Sequence, residues 1–313
     1  MTGALPLNPV HLLALVSPLC RLQADEARPW ERLAGQPAPP PWEVALEHMP
    51  LLAQRRRGWV LLGLARVRGL LTARRRRPGG AWEVDCLQVA PGDIEAAARL
   101  LETACGQLGQ EGVQRLFLRL EAESPLLRAA CRAGFFPLRQ ERLYRLSGEH
   151  RLHEASPERL LPLTRGHLSA LFQLYNASVP ASVRCLEGMT LRDWQAAQEP
   201  WSQPQDVALW DGGRILAWAR LATPGRSALL SLMLHPEAQA RARQLVASVL
   251  EMVPSQRPLF CLVAAYQPAV ASALEEAGLE PVADYLVLMR HLLQRQAHKT
   301  AEPERVGGAV PVS

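Results

Sequence analysis

Two runs of arginine, at positions 55–57 and 74–77, are the most conspicuous groups in the sequence that could bind a ligand. A guanidinium group grips phosphate through two parallel hydrogen bonds, and such clusters can neutralise a nucleic-acid backbone. The second run stands at the tip of a predicted hairpin that turns through Pro-Gly-Gly at 78–80. The alternative is a solvated turn whose charges discourage edge-to-edge strand pairing. Few aromatic residues flank either run for base stacking, so we favour the solvated turn and do not expect nucleic-acid binding.

The six cysteines are scattered, have mostly apolar neighbours and form no C-x-x-C pair. This pattern is typical of buried thiols in a reducing compartment, and it predicts neither a disulfide framework nor a metal site. The apolar stretch at 11–19 is short, is interrupted by Ser17 and Pro18 and has no basic residue before it, so it makes a poor signal peptide. No segment has the roughly 18 uncharged residues of a membrane span. We therefore expect a cytoplasmic protein without a membrane partner.

Length and composition indicate two globular domains. The chain has 313 residues, of which 48% are apolar, and a formal charge of +5. A chain of this length usually folds as two domains, each with its own hydrophobic core. Nearly all the basic residues are arginine, with Lys299 as the single lysine, which indicates codon bias before it indicates function.

The elements that would position functional groups occur twice along the chain. Strand-forming runs at 81–89 and 227–234 each follow a Pro-Gly turn and lead into a second proline, Pro91 or Pro236. A helical pattern follows in each copy, with apolar residues three or four positions apart. A short apolar strand, a second helix ending at a glycine and a closing extended segment complete both copies.

Four landmarks of different types recur at separations of 143 to 146 residues: the turn, the proline, the buried strand and the glycine. Self-similarity at one period is the signature of a duplicated structural unit. We therefore predict two α/β domains with mixed sheets, at 1–149 and 156–293, joined by a linker near 150–156. Residues 294–313 lose the periodicity and become polar, which predicts a flexible tail.

The order of these elements resembles the GNAT superfamily of acyl-CoA-dependent N-acyltransferases. A helical region, an antiparallel meander, a helix, a strand, a helix ending in Gly-Phe or Gly-Leu and a final strand appear in each half. The segment Ala129–Phe135 is most similar to the family's helix ending, and 274–279 is its second-half counterpart. The resemblance implies two tandem GNAT-like domains that use acetyl-CoA as a co-substrate.

The family binds acyl-CoA between its fourth strand and the next helix, where a glycine-rich loop and the helix N-terminus hold the pyrophosphate. By resemblance, this site corresponds to Val89, Gly92 and Asp93 in the first half and to Leu234 in the second. The first junction keeps one glycine and the second keeps none. Asp93 is also a suitable helix N-cap. Both junctions therefore depart from the family pattern.

The family often uses a carboxylate on the fourth strand as general base and a tyrosine as general acid. The resemblance places the base at Asp85 or Glu83 in the first half, and the alternative for both is an exposed or paired strand residue. The tyrosine position falls at Ala130 and Leu274, and neither side chain can donate a proton.

Acceptor binding in GNAT-like proteins involves the upstream helical region. In the second half, Tyr175 and Asn176 lie in that region, and Tyr266 directly follows a buried strand. These three residues are the candidate acceptor-binding residues. Core packing or helix capping is the alternative for each.

Three functions follow from these observations. The first is an N-acyltransferase that moves an acetyl group from acetyl-CoA to an amine of an unidentified acceptor, with the first half as the better candidate because it keeps Gly92, Glu83 and Asp85. The second is a catalytically degenerate tandem GNAT-fold protein with a structural or ligand-sensing role. The third is an anion- or nucleic-acid-binding module that uses the arginine runs. Two joined copies predict a monomer that contains an internal pseudo-dimer, or a homodimer.

Overall fold

The computed structural model describes residues 3–17, 20–23, 25–47, 56–64, 66–146, 158–253 and 257–292. These residues form one mixed sheet with helices on both faces, so the predicted α/β class is confirmed. The strands are β1 (Leu5–Pro6), β2 (Arg56–Leu62), β3 (Val67–Arg77), β4 (Ala81–Val89), β5 (Arg115–Glu121), β6 (Phe136–Leu146), β7 (Leu161–Pro162), β8 (Gln205–Asp211), β9 (Arg214–Ala222), β10 (Ala228–Leu234), β11 (Leu259–Ala264) and β12 (Leu279–His291). The helices are α1 (Val10–Val16), α2 (Trp30–Leu33), α3 (Pro41–Glu47), α4 (Ile94–Gln110), α5 (Leu127–Arg132), α6 (Leu168–Ser178), α7 (Ala181–Glu187), α8 (Leu191–Ala197), α9 (Ala242–Glu251) and α10 (Pro268–Glu276).

The predicted order of elements is observed in both halves. The first half contains the meander β2–β4, then α4, β5, α5 and β6, and the second contains β8–β10, then α9, β11, α10 and β12. Gly134 and Gly278 follow α5 and α10 with φ values of 77° and 89°. Glycine adopts this left-handed conformation without a steric penalty, which is why both helices end there.

The two closing strands, β6 and β12, lie side by side in the middle of the sheet and run antiparallel. On its other edge β12 pairs with β5, through residues 285–291 and 115–121, while β6 pairs with β11, through 141–146 and 259–264. Each closing strand therefore extends the strands of the other half. The resulting order is β1-β2-β3-β4-β5-β12-β6-β11-β10-β9-β8-β7.

The sheet has two differently built faces. Face A is the side covered by α4, α5, α9 and α10. The pair α4 and α5 packs on first-half strands and on Leu288 of β12, and the pair α9 and α10 packs on second-half strands and on Tyr144 of β6.

Face B is the side covered by α1–α3 and α6–α8, and here too the halves intermix. The second-half helices α6 to α8 pack with Ala81 and Phe117 of the first half. Trp30 of α2 packs with Leu229 and Leu262 of the second half. Any site on face B can therefore be lined by both halves.

The predicted domain boundaries at 1–149 and 156–293 stay a prediction. The linker near 150–156 and the tail at 294–313 lie outside the described residues. None of the described helices is both long and apolar enough to cross a bilayer.

The cysteines are free thiols. Cys86, Cys105 and Cys261 are buried, as predicted, whereas Cys131 and Cys185 are exposed. The expectation of buried thiols is therefore wrong for these last two, because each stands on the outer side of a short surface helix.

Candidate functional site

The parallel strands β4 and β5 of the first half separate after a short paired region. Pairing runs from Ala81 opposite Arg115 to Glu83 opposite Phe117, and the two strands are not paired with each other beyond that point. A gap therefore opens between their carboxyl ends. In parallel sheets such an opening exposes backbone N–H and C=O groups, which need other partners.

A segment from the start of the chain occupies this gap; we call residues 23 and 25–28 the gap segment. Its N–H groups at positions 23 and 26 donate to the carbonyls of Val89 (2.8 Å) and Leu87 (3.0 Å) on β4. The N–H of Arg28 donates to the carbonyl of Arg119 on β5 (3.0 Å), and Arg119 Nη1 donates back to the Arg28 carbonyl (3.0 Å). The gap segment thus joins both strands in the manner of an inserted strand.

Asp25 anchors the gap segment from inside the sheet. Its Oδ1 accepts hydrogen bonds from the N–H groups of Leu87 (2.8 Å) and Ala27 (3.0 Å), and the residue is 1% exposed. Oδ2 has no hydrogen-bond partner among the described residues, and the Nε of Arg32 lies 3.8 Å from it. Burial raises the pKa of this carboxyl to about 6.

The first-half positions that were expected to bind acyl-CoA are engaged by the protein itself. The Val89 carbonyl is bonded to the gap segment, and Gly92 forms a left-handed turn with φ of 72°. Asp93 caps α4 by accepting from the N–H of Ala96 (3.0 Å), and it binds Arg68 through both oxygens (2.7 and 2.8 Å), which lowers the pKa of Asp93. The helix N-terminus holds an internal carboxylate where a phosphate was expected. This geometry disfavours the first half as the acyl-CoA site, contrary to the expectation from the sequence.

The two candidate bases lie on face B and are buried. Glu83 accepts hydrogen bonds from the Nε atoms of Arg74 (2.7 Å) and Arg76 (2.9 Å). Asp85 accepts from the hydroxyl of Thr72 (2.7 Å) and lines a face-B cavity of about 450 Å³. A catalytic role for either residue stays a prediction. The ion pairs of Glu83 match the alternative interpretation, a paired strand residue.

Neither interpretation of the arginine run 74–77 fits Arg74 and Arg76. Arg74 also binds both oxygens of Glu31 (2.6 and 2.8 Å), and Arg76 Nη1 donates to the carbonyl of Ala197 (2.7 Å). Both side chains therefore cross-link elements beneath the surface and are not in a solvated turn. Since β3 and β4 are interior strands, the run does not protect a sheet edge.

The other arginine run forms surface ion pairs. Arg56 binds Glu47 (2.8 Å) and Arg57 binds Glu111 (3.0 Å), while Arg55 lies outside the described residues. These contacts occupy two of the three guanidinium groups that were considered for phosphate binding.

The second half has a corresponding gap that no chain segment among the described residues fills. Strands β10 and β11 pair from Ala228 opposite Leu259 to Ser231 opposite Leu262 and then separate. One side chain bridges the opening: Gln267 Oε1 accepts from the N–H of Leu234 (3.0 Å). A flexible glutamine side chain is a far smaller obstruction than the hydrogen-bonded gap segment of the first half.

The junction after β10 lacks a phosphate cradle. Leu234 is followed by a 3₁₀ turn at Pro236–Arg241, and His235 Nδ1 caps it by accepting from the N–H of Glu237 (3.2 Å). An acidic first turn is unfavourable to an anion. Arg241 binds Glu158 (2.7 Å), so its guanidinium group is engaged as well.

A cavity of about 120 Å³ opens on face B beside the second-half gap. Its second-half lining includes Tyr175, Trp194, Ser231, Met233, Tyr266 and Gln267. The first half contributes Arg76 from β3 and Arg139 and Glu141 from β6. The exchange of closing strands brings β6 beside β11, so residues of both halves line the cavity.

Buried ion pairs of alternating sign line the cavity wall. Arg139 binds Glu187 of α7 and, through Nε, Glu141 (2.7 Å); Arg119 Nε also binds Glu141 (2.8 Å), and Arg119 Nη2 binds Glu199. We call these five residues the ion ladder. Burial opposes ionisation, but the arginines outweigh it and hold the pKa values of Glu141 and Glu199 below their ordinary value.

Comparison with known proteins gives a structural match only. No protein-family model matches the sequence, and no curated protein matches it. A GCN5-related N-acetyltransferase from Sphaerobacter thermophilus superposes over 92% of this chain and 95% of its own, at 15% identity and a TM-score of 0.54. The chain has the GNAT fold. A tandem GNAT protein from the clavulanic acid biosynthesis pathway covers 93% of this chain and 98% of its own, at 16% identity and a TM-score of 0.48.

Two of the three candidate acceptor-binding residues line the cavity of this GNAT fold. The Tyr175 hydroxyl donates to Glu187 Oε2 (3.1 Å), and burial raises the pKa of Tyr175. Tyr266 also lines the cavity, and burial raises its pKa. Asn176 is not among the residues that line this cavity and accepts from Arg184 Nη1 (3.2 Å) on the neighbouring helix; a part in acceptor binding stays a prediction.

The positions of the missing GNAT tyrosine are packing positions here. Ala130 and Leu274 are both 0% exposed and lie in the two face-A cores. A hydroxyl on these helices is therefore replaced by apolar packing in both halves.

The sequence reasoning missed Glu187, Glu199, Arg139 and Glu141. The alternation of Arg139 and Glu141 on one strand was the available signal, because residues two apart share a face. Glu187 binds Arg139 from 48 positions away, and Glu199 binds Arg119 from 80 positions away, so no local pattern could identify these two carboxylates.

Proposed function

We propose that the protein is a GNAT-type N-acyltransferase with one working site in its second half, and that it transfers an acyl group, nominally acetyl from acetyl-CoA, to an amine. The observation that carries the proposal is the contrast between the gaps. The first is filled by the protein's own chain, whereas the second adjoins a polar cavity. The first half then serves as a scaffold that supplies Arg139 and Glu141.

The gap of the first half binds an extended stretch of polypeptide backbone. The gap segment is a backbone whose N–H and C=O groups bond to both separated strands. The arm of acyl-CoA is also linear and carries amide groups, so the second gap, beyond Ser231 and Leu262, fits it by the same hydrogen-bonding logic. The junction at Leu234 does not fit the pyrophosphate, because it has no glycine and an acidic first turn. We therefore expect the arm of the donor to contribute most of its binding affinity and the nucleotide to contribute little.

Glu187 is the proposed proton acceptor for the amine. It lines the cavity, and its carboxylate can accept further hydrogen bonds beyond those from Arg139 and Tyr175. The amine nitrogen attacks the thioester carbonyl carbon, the carbon–sulfur bond breaks, and the proton lost by nitrogen passes to Glu187. The Tyr266 hydroxyl, on the same cavity wall, is the proposed donor to the departing thiolate.

Calorimetric titration with acetyl-CoA and with acetyl-pantetheine, followed by turnover over a panel of amines, tests the proposal. We expect the two donors to bind within about tenfold of each other, or about 1.4 kcal/mol, because the nucleotide lacks a cradle. Glu187→Gln should lower turnover by about 100-fold, the usual range for a lost general base, without weakening donor binding. Asp85→Asn, the matched first-half change, should leave turnover intact. Absence of donor binding at millimolar concentration would sink the proposal.

A second candidate function is ligand sensing without turnover. Asp93 and His235 cap the helical turns after β4 and β10, so neither half offers the ordinary phosphate site. This observation favours a protein that keeps the GNAT fold and a ligand cavity but has lost catalysis. Donor or amine binding with no product over the whole amine panel would support this second function.

The continuous sheet supports a monomer that contains an internal pseudo-dimer, and we propose this as the working state. Light scattering at the concentrations used for turnover measures it directly. A dimer mass would contradict it.

A further inference from the structure

Arg77, the last residue of β3, is a half-buried cation with incomplete partners. Its Nε is buried and has no hydrogen-bond partner among the described residues. The charged groups that act on it are Arg220 and Asp206, and Asp206 is already bound to Arg220 through both oxygens (2.9 and 3.1 Å). Burial, with the repulsion of Arg220, lowers the pKa of Arg77. Two guanidinium groups therefore share one carboxylate.

A second cavity, of about 300 Å³, lies at this place. It is lined by residues 75–78, Pro200 and Trp201, so among the residues that the structure describes three arginines and no carboxylate border it. Arg76 and Trp201 also line the 120 Å³ cavity, which makes the two cavities neighbours. We call the larger one the basic mouth.

The wall of the inner cavity has the opposite charge balance. In the ion ladder three carboxylates, Glu141, Glu187 and Glu199, share two guanidinium groups at bonding distance. Two further guanidinium groups line the inner cavity: Arg76 bonds to Glu83 (2.9 Å) and lies 3.9 Å from Glu199, and Arg220 binds Asp206. When Arg76 and Arg220 are assigned to these nearer carboxylates, the ion ladder keeps one carboxylate in excess, which suits a cation, whereas the basic mouth suits an anion.

We propose that the ligand of these cavities is a compact zwitterion, with its amine at Glu187 and a phosphate or carboxylate group at Arg77. Burying an unbalanced charge is unfavourable, and a ligand with one charge of each sign neutralises both places at once. A guanidinium suits either anion, because it bonds two oxygens in parallel. The position of the amine depends on the proposed function, whereas the position of the anion depends only on the observations at Arg77.

Calorimetry with four small probes tests the inference: 2-aminoethyl phosphate, β-alanine, ethanolamine and inorganic phosphate. We expect one of the two zwitterions to bind at least tenfold more tightly than ethanolamine and inorganic phosphate. Arg77→Gln should remove that advantage, and Arg77→Lys, which keeps the charge, should retain part of it. Arg226→Gln removes the same charge from an exposed turn between β9 and β10 and should change nothing.

Each other outcome is decisive. Equal affinities for both zwitterions in wild type and Arg77→Gln would overturn the inference. If phosphate binding is lost in Arg77→Gln but no amine binds and no product forms, the anion site stands and the proposed acyl transfer fails. If Arg77→Gln weakens acetyl-CoA but not acetyl-pantetheine, the basic mouth serves the phosphates of the donor, and the zwitterionic ligand is refuted.

Discussion

Replacing Asp25 by asparagine should change how stability depends on pH. The residue is 1% exposed, and the pKa of its carboxyl is about 6 in the folded protein against an ordinary value of 3.8. One pKa unit is worth about 1.36 kcal/mol, so ionisation of this group costs the folded state about 3 kcal/mol at neutral pH. Asparagine keeps the oxygen that accepts from Leu87 and Ala27 and never ionises.

The sign follows from proton linkage. The folded state binds the Asp25 proton more tightly than the unfolded chain does, so the contribution of Asp25 to stability is complete below pH 3.8 and is lost as pH rises through about 6. Between pH 5 and pH 8 the loss amounts to about 1 kcal/mol. The free energy of unfolding of Asp25→Asn, minus that of wild type, should therefore rise by this amount over the same interval.

Urea unfolding followed by circular dichroism, at several pH values from about 5 to 8, measures the difference. Subtracting wild type cancels the other groups, including Glu141 and Glu199, whose lowered pKa values act only at more acidic pH. Asp284→Asn is the matched control, because Arg142 lowers the pKa of Asp284 and its difference should stay flat above pH 5. A constant difference for Asp25→Asn would refute the reasoning.

Two further changes probe the face-B framework. Arg119→Met leaves Glu141 and Glu199 buried with fewer counter-charges and should lower the free energy of unfolding by about 3–5 kcal/mol in urea titrations. Gly188→Ala places a Cβ 2.5 Å from the backbone nitrogen of Trp194, so α8 must shift, at a cost of about 1–3 kcal/mol and with a changed near-UV spectrum of the tryptophans.

Controls of the same chemical type accompany both. Arg142→Gln breaks an exposed ion pair and should cost under about 1 kcal/mol. Gly106→Ala, in α4, meets nothing within 4 Å and should be neutral or stabilising by about 0.5–1 kcal/mol. Equal losses for Arg119→Met and Arg142→Gln, or for the two glycine variants, would contradict the packing described for face B.

Several local features were predictable because their causes lie within a few residues. The hairpin of β8 and β9 follows from Asp-Gly-Gly at 211–213, and Gly212 and Gly213 both have positive φ. The residue type of Asp93 predicts an N-cap, and its side chain accepts from the N–H of Ala96. In each case the residue type and the backbone geometry are linked directly, without reference to the rest of the fold.

The candidate site was less predictable because its groups meet across long stretches of chain. The gap segment carries no strand pattern, and it takes its place only because β4 and β5 separate and leave backbone groups to be bonded. Glu83 looked like a catalytic candidate, yet its contacts with Arg74 and Arg76 make it part of a buried ion-pair system. The cavity carboxylates Glu187 and Glu199 had no motif at all.

The sequence by itself determined that one α/β unit occurs twice, since apolar periodicity, turn residues and helix-ending glycines act over short distances. Only the tertiary structure decided that β6 and β12 exchange partners, because both are long strands and their pairing depends on which edge each reaches. That exchange brings Arg139 and Glu141 to the second-half cavity, while the gap segment closes the first half. The copy that looked better preserved in sequence is thus the one whose gap is filled, and long-range backbone pairing is the physical reason.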